Sequence, residues 1–476
     1  MSEQHPLDYI FHPRSVAVAG APSHEGPGSF YVGALKEAGF PGPIYPVNPK
    51  ATEIQGLTCY PSLRDVPGTV DYVISSVPAH VVPQLVEDCG FKGVKALHFF
   101  TAGFSETGEQ ERAELETRAV DRAREFGIRV IGPNCMGLYV PSAGLSFMPG
   151  LPREPGPVAF ISQSGANAGN FIRTTAMRGI RYSKVISYGN AADLDESDFF
   201  DYCAADPETR VIASYIEGVK DGRRFIEALR RAAAVKPVAV LKGGRTDAGG
   251  RAAQSHTGAM AGSIQVFDAA CRQAGAVRVN TLEDLADVVV AMTFLGALSG
   301  RRVAVIGSGG GQSVLAADEA ASVGLEVPAL PDETQEKLRE FTPVAGTSVR
   351  NPVDTYVGWA GGPERLMDTV RLVADAPNID SVILHVIFDG GSMRADPVKR
   401  AEDLADAVVG ALPRLRKPLA IVASPAIQAE SFAASLAFQS RVSTAGVAVF
   451  SSIVRAARAL GYLVDWQQSR IDLVMP

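Results

Sequence analysis

The sequence predicts an α/β protein of three doubly wound domains, and three observations lead there. Short apolar strands ending in glycine- or serine-rich turns open at Val16-Ala17-Val18-Ala19-Gly20, Val158-Ala159-Phe160-Ile161-Ser162 and Val303-Ala304-Val305-Ile306-Gly307. A buried parallel strand reads as such a continuous apolar run, and a helix follows its turn. These openings begin 142 and 145 residues apart, which agrees with dividing 476 residues by about 150 per domain. Glycine (47) and proline (31) are plentiful without a short period, so they mark tight strand-to-helix turns and not low complexity.

Within the first domain the apolar runs predict strands at 15–19, 43–47, 72–77, 95–101 and 128–131, separated by helices. The clearest helix is Glu109 to Phe126, charged and amphipathic. A βαβαβ order makes right-handed crossovers and a doubly wound sheet the default. Five prolines between Pro141 and Pro157 mark a linker. A softer boundary falls around Leu295 to Arg302.

The formal net charge of −7 comes from 45 basic and 52 acidic residues, interleaved without a Lys/Arg run. No nucleic-acid footprint is present, so anionic ligands must be held locally by loops and helix ends. The five cysteines show no CxxC spacing, so neither a zinc site nor a disulfide framework is expected, and a reducing cytoplasm is the expected location. The N-terminus lacks a signal-peptide pattern, and no run of 18 apolar residues indicates a membrane span.

Several strand ends carry residues suited to anions. The first turn holds Gly20, Ala21, Ser23, Gly26, Gly28 and Gly33. Glycines let a backbone approach phosphate, and the next helix supplies N–H groups, yet turn glycines without a ligand look the same. It is not G-x-G-x-x-G, and Lys50 stands where a nicotinamide site favours an acid. A lysine there suits a phosphorylated ribose or pyrophosphate; a solvated surface lysine has the same local signature. Later turns fall at Val77-Pro78, at Thr101-Ala102-Gly103 and at Gly132-Pro133-Asn134-Cys135. Cys135 has no visible partner base, so a small buried side chain is its simplest reading.

Ser162-Gln163-Ser164-Gly165 lies between a strand and a helix. Serine occupies position 162 where a nucleophile elbow needs glycine, which argues against a serine hydrolase and for an anion cradle. Gly307-Ser308-Gly309-Gly310-Gly311-Gln312-Ser313 forms a second cradle of this kind. Among seven histidines, His98 and His385 sit in apolar runs and read as core residues. His256 lies in a Gly/Ala-rich stretch from Lys242 to Gly262, in the string Ser255-His256-Thr257-Gly258.

That string resembles a known family when joined with Tyr45-Pro-Val-Asn-Pro-Lys50, Gly132-Pro-Asn-Cys135, Ser162-Gln-Ser-Gly165 and Tyr215-Ile-Glu217-Gly218. The chain, over about residues 8 to 465, is similar to the α subunit of NDP-forming acyl-CoA synthetases. These are the ADP-forming acetate–CoA ligases, relatives of succinyl-CoA synthetase. The resemblance implies a CoA-binding Rossmann-like domain at 8–141 and flavodoxin-like ligase domains at 155–295 and 300–465. It implies that His256 is transiently phosphorylated and that Glu217 holds its imidazole. Phosphate binding would fall to Ser162, Gln163, Ser164 and Gly165, with Gly309, Gly310 and Gly311. Coenzyme A would meet Gly20, Ala21, Ser23, Gly28, Lys50, Val77, Pro78, Thr101, Ala102, Gly103, Asn134 and Cys135. The first turn departs from the family in its Ala21-Pro22 and Glu25-Gly26-Pro27-Gly28, an acidic, proline-rich form. Asn167 and Asn170 stand where the family varies, near the expected acyl group. Asn351-Pro352-Val353-Asp354 also matches, with a turn and strand cap as its default role.

The family's nucleotide site is an ATP-grasp domain, and after residue 465 only Trp466 to Pro476 remain. The resemblance therefore implies an ATP-grasp β subunit that carries ATP/ADP and magnesium, an α2β2 heterotetramer, and a small carboxylic acid as substrate. Two other readings stand beside it. One is a CoA-responsive regulatory protein without catalysis. The other is a nicotinamide dehydrogenase, against which Lys50 and the missing glycine fingerprint argue.

Overall fold

The computed structural model describes residues 5–22, 28–246, 248–251, 263–307, 309–342, 347–354, 362–389 and 396–474. Ser23 and His256 lie outside the described residues. The chain divides into two compact units, one of Met1–Arg173 with Arg181–Leu282, the other of Thr174–Ile180 with Glu283–Pro476.

The first unit holds two sheets. One has β1 (Val16–Ala19), β2 (Ile44–Val47), β5 (Tyr72–Ser75), β6 (Ala96–Phe99) and β7 (Arg129–Ile131), all parallel in the order β2-β1-β5-β6-β7. A two-stranded hairpin, β3 (Glu53–Ile54) with β4 (Leu57–Thr58), follows β2. The expected helix runs Gln110–Glu125, and its inward face buries Ala119, Val120 and Ala123. The other sheet joins β9 (Pro155–Ser162), β10 (Tyr182–Ser187), β11 (Val211–Ile216), β12 (Val238–Lys242) and β13 (Val277–Val279), with the short β8 (Gly137–Tyr139) antiparallel at its edge. Its order is β13-β12-β11-β9-β10-β8. The proline-rich segment 141–157 is thus preceded by a strand that already belongs to this sheet, and its last prolines lie in β9.

In both sheets the chain leaves the first strand on one side and returns on the other. Such a switch opens a crevice beyond the strand carboxyl ends, where ligands bind in open parallel sheets. The switch lies between β1 and β5 in the first sheet and between β9 and β11 in the second.

The second unit carries β14 (Val303–Ile306), β15 (Ser381–Val386), β16 (Leu419–Ala423) and β17 (Ala448–Phe450), parallel and in that order. On the free side of β14, Val353 makes a single bridge to Ile306. Asn351 anchors that bridge by accepting from Val305 N and donating to the carbonyls of Val303 and Pro328. The motif 351–354 therefore completes a sheet edge. Asp354 is buried and exchanges backbone bonds with Ser348.

Among its otherwise apolar residues β6 carries His98, which is fully buried. Its Nε2 donates to the Cys135 carbonyl at 3.0 Å. Tyr31 meets the ring edge-on at 5.7 Å and Tyr72 stacks at 6.3 Å. Burial pushes the imidazole pKa down to about 4, only partly opposed by the Cys135 carbonyl. An unfolded His98 titrates near its ordinary 6.5, so between the two values the unfolded chain binds the extra proton. Stability is full above about 6.5 and falls as pH drops toward 4. From pH 7 to pH 5 this group should cost the first unit about 2 kcal/mol. The urea midpoint of this unit should therefore fall less over that range in His98→Gln than in the parent chain. Equal falls would refute the assignment.

Candidate functional site

The crevice of the second sheet is built by the turns after β9 and β11. Ser162 ends β9 fully buried, and its Oγ donates to the Ser164 carbonyl at 2.7 Å. Ser164 caps the helix Gly165–Ala176, its Oγ accepting from Asn167 N at 3.3 Å. First-turn N–H groups have no partner within a helix and carry the positive end of its dipole, which suits an anion. Between the two serines, Gln163 sends its side chain across to the neighbouring turn. Its Oε1 accepts from Glu217 N at 2.7 Å and Gly218 N at 3.0 Å. Its own N–H donates to the Tyr215 carbonyl. The cradle and Glu217 are thus one hydrogen-bonded piece.

Glu217 follows β11 directly and is 6% exposed. Lys242, at the end of the adjacent β12, is buried beneath it. Its Nζ donates to the carbonyls of Glu217 at 2.5 Å and Gly243 at 2.6 Å. Burial lowers the lysine pKa, and the Glu217 carboxylate opposes that shift. Burial also pushes the Tyr215 phenol up, and Glu217 adds to the effect. Glu196 lies buried at the start of the helix Glu196–Ala205, its carboxyl pushed up to about 8 by burial and then by Asp195.

The crevice of the first sheet collects the remaining turns. A Cβ on Gly20 would lie 2.8 Å from Val77 Cγ1, and one on Gly28 would strike the Ser76 hydroxyl. Both have positive φ, +77° and +82°, so glycine is required on steric and conformational grounds. Asn48 joins two turns, donating to the Ala21 carbonyl and accepting from Lys50 N, each at 2.8 Å. Lys50 and Pro78 are exposed, and Ala102 is exposed beside them. Thr101 is buried, and its hydroxyl bonds to Ser75 Oγ and donates to the carbonyls of Ser75 and Val77. Cys135 is buried with Sγ toward the Phe99 carbonyl at 3.7 Å. Burial raises its thiol pKa, which leaves it unreactive. Asn134 is half-buried with φ +58° and donates its backbone N–H to the Thr101 carbonyl. Thr101 and Cys135 are thus buried beyond the ends of β6 and β7, while Lys50, Pro78 and Ala102 are exposed in the turns around them.

In the second unit, Gly309 caps the helix Gly310–Ser322 with φ +76°. Among the described residues, no heavy atom beyond the chain neighbours and the helix's own backbone lies within 4 Å of a Cβ placed at Gly309 or Gly311. Ser313 Oγ donates back to the Gly309 carbonyl at 3.0 Å. His385, at the nearby end of β15, shares a 2.6 Å bond with Ser424 Oγ, and burial lowers its pKa.

Sequence reasoning passed over Lys242 and the bridging role of Gln163. A lysine closing an apolar strand was a usable signal, since such a group is buried only when its donors are satisfied. Among the described residues no group of three or more His, Cys, Asp or Glu could hold a metal ion. No described helix is long and apolar enough to cross a membrane.

Comparison with known proteins places these crevices in context. Residues 14–141 match the model of a CoA binding domain, 155–292 that of a succinyl-CoA ligase-like flavodoxin domain, and 303–467 that of a ligase-CoA domain. The α subunit of ADP-forming acetate–CoA ligase II from Pyrococcus furiosus is 41% identical over 79% of this chain and 81% of its own. The α subunit of isoenzyme I from the same organism is 36% identical over 97% and 98%. A solved structure from Ca. Korarchaeum cryptofilum, described as a dinucleotide forming acetyl-coenzyme A synthetase 1 in complex with phosphate and ADP, covers 98% of both chains. It superposes with a TM-score of 0.85 at 32% identity.

The Gln163 bridge makes a direct prediction. Gln163→Ala leaves two buried N–H groups without an acceptor and should cost the first unit about 2 kcal/mol. Chemical denaturation of the variant checks this, and an unchanged midpoint would show that the bridge is dispensable.

Proposed function

The chain belongs to the α subunits of the ADP-forming acyl-CoA synthetases, the acetate–CoA ligase family, and from that premise we propose that it performs their phosphoryl and acyl transfers. The overall reaction is carboxylic acid + CoA + ATP to acyl-CoA + ADP + phosphate. The observation that carries this reading is the single hydrogen-bonded piece made by the Ser162–Gly165 cradle and Glu217. It offers a carboxylate for an imidazole and a helix N-terminus for a phosphoryl group at one strand switch.

His256 is the proposed phosphoryl carrier. A neutral imidazole is a competent nucleophile near pH 7, and a carboxylate on one nitrogen fixes the tautomer and raises the basicity of the other. Glu217 is assigned that task. An oxygen of the substrate carboxylate attacks the phosphorus, the P–N bond breaks, and an acyl phosphate leaves His256 neutral. The CoA sulfur then attacks the acyl carbon and phosphate departs. Helix N–H groups at Gly165 are assigned to the charge on the phosphoryl oxygens, and Gly309–Gly311 of the second unit are assigned to phosphate as a separate cradle.

Coenzyme A is assigned to the crevice of the first sheet. Gly20 and Gly28 permit close backbone approach there, and Lys50 stands exposed as a cation for its phosphates. ATP, ADP and magnesium are assigned to a separate ATP-grasp β subunit, in an α2β2 assembly. The relatives' names as ligases, together with the built Glu217 site, favour catalysis over a purely regulatory CoA-binding role.

Incubation with labelled inorganic phosphate and a panel of acyl-CoA thioesters should place acid-labile, base-stable phosphate on the chain. His256→Ala should abolish it, and Glu217→Gln should slow it by at least about 10²-fold. Labelling that persists in His256→Ala would sink the assignment. The acyl group giving the fastest labelling identifies the acid.

A further inference from the structure

The two crevices of the first unit are joined by the segment that follows β10. Its first residue, Tyr188, donates its N–H to the Ser162 carbonyl at 3.1 Å, directly behind the anion cradle. Two residues on, Asn190 N donates to the Pro133 carbonyl at 2.9 Å, Ala192 N to Gly132 at 2.9 Å, and Leu194 N to Val130 at 3.2 Å. The segment thus runs along the end of β7 like an added strand. Asp193 locks it, its carboxylate accepting from Val130 N, Arg129 and Arg124. From the other side, Ser187 Oγ accepts from Met136 N at 3.0 Å.

At the centre of this strut Asn190 is 3% exposed. Its Nδ2 lies 2.7 Å from Glu106 Oε2, 3.0 Å from Glu116 Oε2 and 3.3 Å from Ser105 Oγ. Those acceptors shape the turn after β6. Glu106 accepts from Gly103 N at 2.5 Å and Phe104 N at 3.2 Å, and Glu116 accepts from the Ser105 N–H and hydroxyl. Three consecutive N–H groups of the turn are therefore held by two carboxylates, and both carboxylates converge on one neutral amide.

We propose that Asn190 is a positioning residue for acyl transfer, setting the Thr101–Gly103 turn against coenzyme A at a fixed distance from the Ser162 cradle. The proposal rests on the functional reading above and adds a residue that touches neither substrate nor phosphate. Removal of the amide frees the Glu106–Glu116 pair from its common donor, and the turn shifts while the cradle keeps its own bonds. A displacement of this kind penalises the CoA-dependent step and spares phosphoryl transfer to His256.

Two routes to phosphohistidine separate these effects on the same chain. Acetyl phosphate donates its phosphoryl group to His256 and releases acetate without coenzyme A. Acetyl-CoA with inorganic phosphate first exchanges thiol for phosphate, giving CoA and acetyl phosphate, and then proceeds alike. Asn190→Ala should label from acetyl phosphate within about twofold of the parent. From acetyl-CoA and phosphate its half-saturating acetyl-CoA concentration should rise roughly tenfold or more. Glu106→Ala should give the same split, and the double variant should be no worse than either alone, because both act through one turn. Equal loss on both routes would overturn the positioning role in favour of a general structural one, as would an unchanged acetyl-CoA dependence or additive effects. Absence of labelling by either route in the parent chain would overturn the functional reading, and this proposal with it.

Discussion

The architecture of the first unit depends on how buried backbone groups at the heads of its sheets find partners. Where a strand ends and its chain turns away, N–H and C=O groups lose the ladder that satisfied them, and leaving them unpaired inside the protein is costly. Gln163 meets this demand at the second sheet by accepting from both Glu217 N and Gly218 N. Lys242 meets it from below by donating to the Glu217 and Gly243 carbonyls. The backbone of Glu217 is therefore held on both of its polar faces, by side chains from the two strands beside its own.

The first sheet solves the same problem with different chemistry. Thr101 and Asn48 satisfy neighbouring turns through short side chains, and Glu106 and Glu116 do so with charge. Carboxylates bind N–H groups strongly, but two of them side by side need a shared donor. Asn190 supplies it from the neighbouring sheet. The consequence is mechanical, because a turn that is tied to its own sheet alone moves with that sheet, whereas this one is referenced to Ser162.

Much of this could be read from the amino acids. The three apolar openings at Val16, Val158 and Val303 locate β1, β9 and β14, because a buried parallel strand must be apolar on both faces. Gly20 and Gly309 were visible as turn glycines, and their positive φ angles show why no other residue serves there. Gln163 and Asn190 were invisible in their roles, and Lys242 showed only as a lysine closing an apolar strand. Each acts through a bond to a residue tens of positions away, and such side-chain bonds leave no periodicity and no local motif. Thr101 and Cys135 show the converse. A motif can mark a crevice correctly while some of its side chains are buried, Thr101 by its bonds to the Ser75 and Val77 carbonyls and Cys135 against the Phe99 carbonyl.

The choice of groups at the cradles also bears on what the protein can do with an anion. Neither Ser162–Gly165 nor Gly309–Gly311 contains a charged side chain, and the lysine closest in the second sheet, Lys242, spends its donors on carbonyls. Hydrogen bonds from charged donors are roughly twice as strong as neutral ones. A site lined by arginine would hold a phosphoryl group firmly and give it up slowly. Helix N–H groups stabilise the same oxygens with partial charges fixed in place before the ligand arrives. That balance suits a group that must be taken on, passed to a carboxylate and released, and it explains how a chain of net charge −7 can work on anionic substrates. The partial charges at these helix mouths act locally, so they do not depend on a globally positive surface.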